Sequence, residues 1–279
     1  MRSFAFRAPS PMPGFGLASG IALTMLSIVV IIPIAALLLR GADVGFVEIW
    51  RVIQTERVAS ALWLSFRLSF FAALFNLIFG LMIAWMLVRY EFPGRRLIDA
   101  AVDLPFALPT AVAGIALTAL YAPNGALGSF FAQFGIKVAY TELGIWVALV
   151  FVGLPFVVRT VQPVIEEVDR EVEEASATLG AYRLRTFVRV ILPMLMPALL
   201  TGFALALARS VGEYGSVIFI AGNLPYQTEI APLLIVIRLE EFDYSGAVAI
   251  AVAMLGISFA MLLAINLVQA WSRRRFGDV

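Results

Sequence analysis

The sequence predicts an all-α integral membrane protein with six transmembrane helices. Three observations predict it. Hydrophobic residues make up 62% of the 279 residues and charged residues 14%, whereas a soluble domain solvates its surface with roughly 25% charged residues. Six apolar segments approach the length a bilayer demands, since a hydrocarbon core of about 30 Å takes about 20 residues at 1.5 Å of helical rise. Arginine, finally, is divided unevenly among the connections that these segments leave.

The first segment, Gly16 to Leu39, carries no charge. Its apolar stretch is too long for a signal peptide, and nothing around Arg40 resembles a small-residue cleavage site, so a retained helix is expected. The second runs from Leu68 to Val88 and is preceded by Arg67. The third spans Leu104 to Tyr121, the fourth Leu143 to Val158 and the fifth Met194 to Leu207, the last two having the shorter apolar cores. The sixth, Ala247 to Trp271, is again free of charge.

Six spans put both termini on one side. The N-terminus (Arg2, Arg7), the second connection (Arg89, Arg95, Arg96), the fourth (Arg159, Arg170, Arg183, Arg185, Arg189) and the tail (Arg273, Arg274, Arg275) hold 13 cations, while the other three connections hold 5: Arg40, Arg51, Arg57, Lys137 and Arg238. Arg67 and Arg209 lie at or near membrane depth. The positive-inside rule then places both termini in the cytoplasm. A five-span arrangement would separate them and spoil the asymmetry. The expected organisation is an N-terminal segment, first helix and external loop over 1–57, a membrane core over 58–272 with a cytoplasmic loop at 159–193, and a basic tail over 273–279.

Composition also removes several chemistries. The chain has no Cys and no His, so Cys-based metal sites, disulfides, thiol nucleophiles and His-dependent triads are absent. No catalytic residue, metal or cofactor is expected. A net charge of +1 gives no sign of a nucleic-acid partner. A Walker phosphate loop needs glycines followed by Lys and Ser or Thr, but the single lysine, Lys137, lies on the expected external side in a GIKVAY context. Any ATP that drives this protein is therefore bound by another subunit.

Two regions break helical regularity. The third span opens on Asp99, Asp103, Pro105 and Pro109 and continues into the small residues TAVAG (110–114). Proline removes a donor and kinks a helix, which membranes tolerate where the freed carbonyls face protein or a water-filled cavity. The kink either packs or lines a translocation path. In the second region, ARSVGEYGSVIFIAG (208–222), Arg209 and Glu213 stand four apart, on one face if the helix continues. Ionisable groups in a bundle face its interior or a water cavity, so the pair either fixes packing or gates a pore. Arg67 is a similar case, with the alternative of snorkelling from a helix end. Asp99 and Asp103 are expected to pair locally with Arg95 and Arg96. Small residues four apart (Gly16 with Gly20, Gly202 with Ala206, Ala247 with Ala251, Ala249 with Ala253) permit close helix approach.

The fourth connection begins acidic and ends basic, with Gly180 placed to supply a left-handed turn between two short helices. About five residues would suffice as a tether, so its length suggests a docking surface.

The stretch EASATLGAYRLRTFVRVILP (174–193) resembles the cytoplasmic motif of binding-protein-dependent ABC importer permeases. That motif reads Glu-Ala-Ala, three residues, Gly, nine residues, then Ile-x-Leu-Pro. Glu174, Ala175, Gly180, Leu192 and Pro193 match in register, while Ser176 replaces the second Ala and Val190 the Ile. The strings LVRYEFPGRR (87–96), DLPFALPTAVAGIALTALYAPNG (103–125), GLPFVVRTVQPV (153–164), GEYGSVIFIAGN (212–223) and EFDYSGAVAIA (241–251) are similar to the T-type permease subunits of sulfate/thiosulfate importers. W-type subunits and molybdate permeases share the plan and the GEYG-like region. The resemblance covers nearly the whole chain after Pro13.

The resemblance implies a type I ABC importer permease bundle in a bacterial inner membrane. It implies a T–W pore, two ATP-binding subunits docking on the 159–193 loop, a periplasmic sulfate-binding protein, and sulfate or thiosulfate moved by alternating access. Glu174, Ala175, Gly180, Leu192 and Pro193 are the expected ATPase-coupling residues, and the first helix is expected to pack against the neighbouring permease subunit. Arg67, Pro105, Pro109, Arg209 and Glu213 are candidates for the pore or gate. Alternatives are a permease for another oxyanion such as molybdate, an ion-coupled secondary transporter, or a membrane assembly subunit.

Overall fold

The computed structural model describes residues 15–276, and these form helices and no strands. In order they are α1 (Phe15–Val44), α2 (Phe46–Ile53), α3 (Glu56–Arg89), α4 (Arg95–Val102), α5 (Leu104–Ala107), α6 (Thr110–Tyr121) and α7 (Ala126–Ala132). There follow α8 (Glu142–Glu167), α9 (Arg170–Thr178), α10 (Arg183–Val211), α11 (Val217–Ile220), α12 (Ala231–Glu240) and α13 (Tyr244–Phe276). Five of these (α1, α3, α8, α10 and α13) are long and apolar enough to cross a membrane. The pair α6 and α7, bent by 42° between them, supplies the sixth.

Three expectations need correction. The third span is not one helix from Leu104 to Tyr121. It breaks at Leu108, whose extended backbone (φ −85°, ψ 134°) is the conformation favoured before a proline, here Pro109. The fourth and fifth spans are longer than their apolar cores, because backbone hydrogen bonding does not stop at the first charge. Residues 159–167, expected in the cytoplasmic loop, continue α8, and the segment after Tyr182 is the start of α10 rather than a second short helix. The connection itself is only Val168 to Tyr182. Arg2 and Arg7 lie outside the described residues.

Both α1 and α10 contain a π-helical turn, Ser27–Ile31 and Phe187–Ile191, and each ends one residue before a Leu/Ile-Pro step. The cause is common to both. Pro33 and Pro193 cannot donate to the carbonyl four residues back and would collide with it. The wider turn, closed by Ile32 N–H to Ser27 O and Leu192 N–H to Phe187 O, absorbs the mismatch without ending the helix.

The core is built by α3, α8 and α10. Val157, Val158, Val161, Ile165 and Leu195 are fully buried between them, with Ala73, Ala84 and Leu87 from α3. Val157 sits between two glycines. A Cβ on Gly80 would stand 2.8 Å from its Cγ1, and one on Gly202 3.0 Å from its Cα. The helix axes are therefore closer than any side chain at 80 or 202 would allow. Ala206, Ala247 and Ala249 are buried as well. Gly16 and Gly20 are not used in this way, since nothing lies within 4 Å of a Cβ built on either. Indeed the apolar window of α1 has no buried residue. Gly41 near its end is its buried point, against Val252 of α13.

Candidate functional site

The sequence singled out two irregular regions, and the structure brings parts of them together. α10 ends at Val211, so Glu213 lies past the helix terminus and not on its face as the four-residue spacing implied. The chain folds back, with Glu213 N–H bonded to Ser210 O (3.1 Å), and the pair still forms at 2.5 Å from Arg209 Nη1 to Glu213 Oε2. Glu213 is 2% exposed, and its other oxygen accepts from both Ser216 N–H and Ser216 Oγ–H at 2.8 Å. One buried carboxylate thus fastens the end of α10 to the start of α11. A carboxylate with this many partners offsets the cost of its burial.

This loop rests on the broken third span. A Cβ on Gly114 would lie 2.4 Å from Ser216 O, and one on Gly215 would lie 2.2 Å from Thr110 Oγ1. The small residues of TAVAG are therefore a seat for the GEYGS turn, beside the break at Pro109. Pro105 is half-buried in α5, away from this contact. Its segment is held by Arg159 of α8. Arg159 Nε and Nη2 donate to the two Asp103 oxygens (2.8 and 2.6 Å), while Nη1 donates to Asp99 Oδ1 (2.6 Å). Asp99 and Asp103 therefore do not pair with Arg95 and Arg96. The bidentate fit of guanidinium to carboxylate favours the distant partner. Arg67 stands apart from the other candidates, paired at 2.5 Å with Glu142 at the start of α8.

Sequence reasoning missed the neutral polar groups beneath the gate-like contact. Ser65, Ser69 and Ser210 line a small cavity with Glu213. Ser69 Oγ, Ser210 Oγ and Asn76 Oδ1 are buried without a hydrogen-bond partner, although Asn76 Nδ2 donates to Val150 O at 3.1 Å. Ser65 Oγ also accepts from Ala231 N–H (2.8 Å), capping α12. The signal was present: Asn76 is an amide inside an apolar span, and such groups are costly there. Arg57 with buried Glu229 (2.8 and 2.7 Å) was missed too, because 172 residues separate them.

At the end where α3 and α8 finish and α10 begins, the motif residues divide. Glu174, Ala175 and Gly180 are exposed, while Leu192 and Pro193 are half-buried inside α10, Leu192 packing on the core. The last two thus lie in the helix rather than on the surface that Glu174 occupies. Gly180 has φ +79°, and the turn closes with Gly180 N–H to Ala177 O (2.9 Å) and Ala181 N–H to Ser176 O (3.1 Å), the Schellman pattern that ends a helix on a left-handed residue. Leu179 (88% exposed) and Tyr182 (82%) flank it. Two large side chains, one aliphatic and one aromatic, thus stand exposed beside a tight turn.

Residues 76–278 match the family model described as binding-protein-dependent transport system inner membrane component. The chain is 50% identical over 266 residues to the sulfate transport system permease protein CysT of Salmonella typhimurium, covering 95% of each chain. It is 48% identical over 274 residues to the protein of the same name from Escherichia coli K12, covering 98% of each. Among solved structures, a chain of a bacterial ABC transporter involved in import of the acidic polysaccharide alginate superposes with a TM-score of 0.75. That match has 16% identity and covers 92% of this chain and 95% of that one.

Proposed function

Because the chain belongs to the family of binding-protein-dependent transport system inner membrane components, we propose that it is the pore-forming permease subunit of an ATP-driven importer for sulfate or thiosulfate. The observation that carries the substrate is the 50% identity, end to end, with a sulfate permease. The bundle sits in a bacterial inner membrane with both termini in the cytoplasm, an orientation supported by the 13 to 5 division of cations. The α9–Gly180 turn then faces the cytoplasm. Two ATP-binding subunits dock there, on Glu174, Ala175, Leu179 and Tyr182. ATP is hydrolysed on those subunits and not on this chain.

A W-type permease subunit completes the pore. α1, whose apolar window is unburied, with Gly16 and Gly20 facing open space, suits packing against that subunit. A periplasmic sulfate-binding protein delivers the anion to the opposite end. Alternating access follows from movement of α9, which shifts the inner end of α10. The seat of Gly212–Ser216 on Thr110–Gly114 is then the natural gate, because at Gly114 the two backbones meet with no side chain between them. Pro105 and Pro109 release the segment on one side of it, and Arg209 and Glu213 hold the other. Arg67, paired with Glu142 near the periplasmic end of α3, is a candidate for the outer entrance.

The test is uptake of radiolabelled sulfate by proteoliposomes holding the complete importer, with and without ATP and binding protein. Uptake that needs both is the expected result. Uptake driven by an ion gradient without ATP would overturn the proposal. A reporter fused after Arg96 should read cytoplasmic and one after Lys137 periplasmic, and the reverse would overturn the orientation.

A further inference from the structure

A coupling helix must keep its orientation relative to the spans it moves, and α9 has little apolar packing with which to do so. Among the described side chains of Arg170–Thr178 none is buried, and a groove of about 630 Å³ separates the helix from the ends of α3 and α10. Two polar ties cross that groove. On one side Arg89, at the last turn of α3, donates from Nη2 to Val168 O (2.9 Å), in the link between α8 and α9, and forms an ion pair with Glu173 Oε1 of α9 at 3.0 Å without a hydrogen bond between them. Its guanidinium lies 5.4 Å from the Trp85 ring centroid, and its side chain is only 11% exposed. On the other side the hydroxyls of Ser176 and Thr186 are 2.8 Å apart, joining α9 to the first turn of α10. Thr186 is buried.

Glu173 and Ser176 are three residues apart and so share the face of α9 turned toward the bundle. Glu174 lines the rim of the groove beside Glu173, and both it and Ala175 are exposed. One tie alone would leave α9 free to swivel about it, and two ties to different spans remove that freedom. Ser176 is also the position at which the chain departs from the Glu-Ala-Ala pattern. An alanine there cannot make this bond.

We propose that Arg89 and Ser176 are positioning residues for transport coupling: through Glu173–Val168 and Thr186 they make α9 move as one rigid body with the inner ends of α3 and α10. The inference rests on the permease reading above, and it predicts efficiency of coupling rather than docking of the ATPase.

The chain has no cysteine, so Arg89→Cys with Glu173→Cys can be bridged by a short bismaleimide in the assembled importer, its partners made cysteine-free. The bridge should leave ATP-dependent sulfate uptake within about twofold of the unbridged double variant, since a rigid body loses nothing by being cross-linked. Uptake abolished by the bridge would overturn the proposal. Separately, Arg89→Gln should retain ATPase association but raise the ATP hydrolysed per anion by roughly fivefold, the upper range for one partly exposed ion pair. The charge-reversed pair Arg89→Glu with Glu173→Arg should recover most of that loss. Ser176→Ala, which restores the family residue and folds safely, should give a smaller rise. An unchanged ratio in both Arg89→Gln and Ser176→Ala would overturn the proposal, as would a reversed pair no better than Arg89→Glu alone. Absence of ATP-dependent uptake in the unmodified importer would instead overturn the permease reading itself.

Discussion

Gly114 and Gly180 are indispensable for opposite reasons. At Gly114 the backbone is ordinary helix and there is no room, since a Cβ would sit 2.4 Å from Ser216 O. At Gly180 there is nothing within 4 Å of a Cβ, and the constraint is φ +79°. The first glycine lies where a helix touches the irregular backbone of the Gly212–Ser216 turn. The second lies on an exposed turn closed by backbone hydrogen bonds and joined to α10 by the Ser176 and Thr186 hydroxyls. The Gly114 contact with Ser216 is therefore bound to stability, while the exposed Gly180 turn depends on it much less. Damage to the two should therefore look different.

The largest effect is expected at the membrane contact. Gly114→Val forces backbone against backbone and should destabilise the purified permease by about 3 kcal/mol, the upper range for overpacking, lowering its melting temperature and abolishing uptake. An unchanged melting temperature would break the comparison. Next is the pair below it. Removing either Arg209 or Glu213 alone should cost about 2 kcal/mol, because Glu213 or its partner is left unmatched in a mostly buried place, discounted for Arg209 being one-third exposed. Removing both should cost less than the two single losses added together, and simple additivity in a thermal double-mutant cycle would show that they are not coupled. Gly180→Ala should cost roughly 1 kcal/mol of local turn stability, too little to move the global melting temperature by much, yet uptake should fall. The smallest change in stability is expected for Leu179→Ser and Tyr182→Ser. Both should melt like the parent while ATPase association weakens by about tenfold each, as truncation of an exposed interface anchor does.

Much of this was readable in the sequence where the physics is local. Hydrocarbon-length runs indicated six spans, Pro109 marked the break in the third, and Gly180 was recognisable as a left-handed turn from its place between an acidic and a basic segment. Arg209 and Glu213 were paired correctly even though the helix between them ends early, because a four-residue separation is also short enough for a fold-back. What the sequence withheld depends on packing between distant segments. Nothing local says that Asp99 and Asp103 will take Arg159 as their partner over the nearer Arg95 and Arg96. The same holds for the seat of Ser216 on Gly114. Ser176 read as a harmless small replacement, and only the position of Thr186 across the turn shows its hydroxyl bonded. Residues 159–167 and 183–193 of the expected loop continue α8 and begin α10, since charge marks the edge of the membrane and not the end of a helix.

The proposed drive of this permease by an external ATPase runs through the exposed turn at Glu174–Tyr182. The direct measurement is ATP-dependent sulfate uptake by the complete importer carrying Gly180→Val or Glu174→Lys, with ATPase co-purification and membrane abundance followed in the same preparations. The account predicts normal abundance with uptake and ATPase association lost together. Normal uptake in both variants at normal abundance would contradict it and leave the turn as a solvated surface.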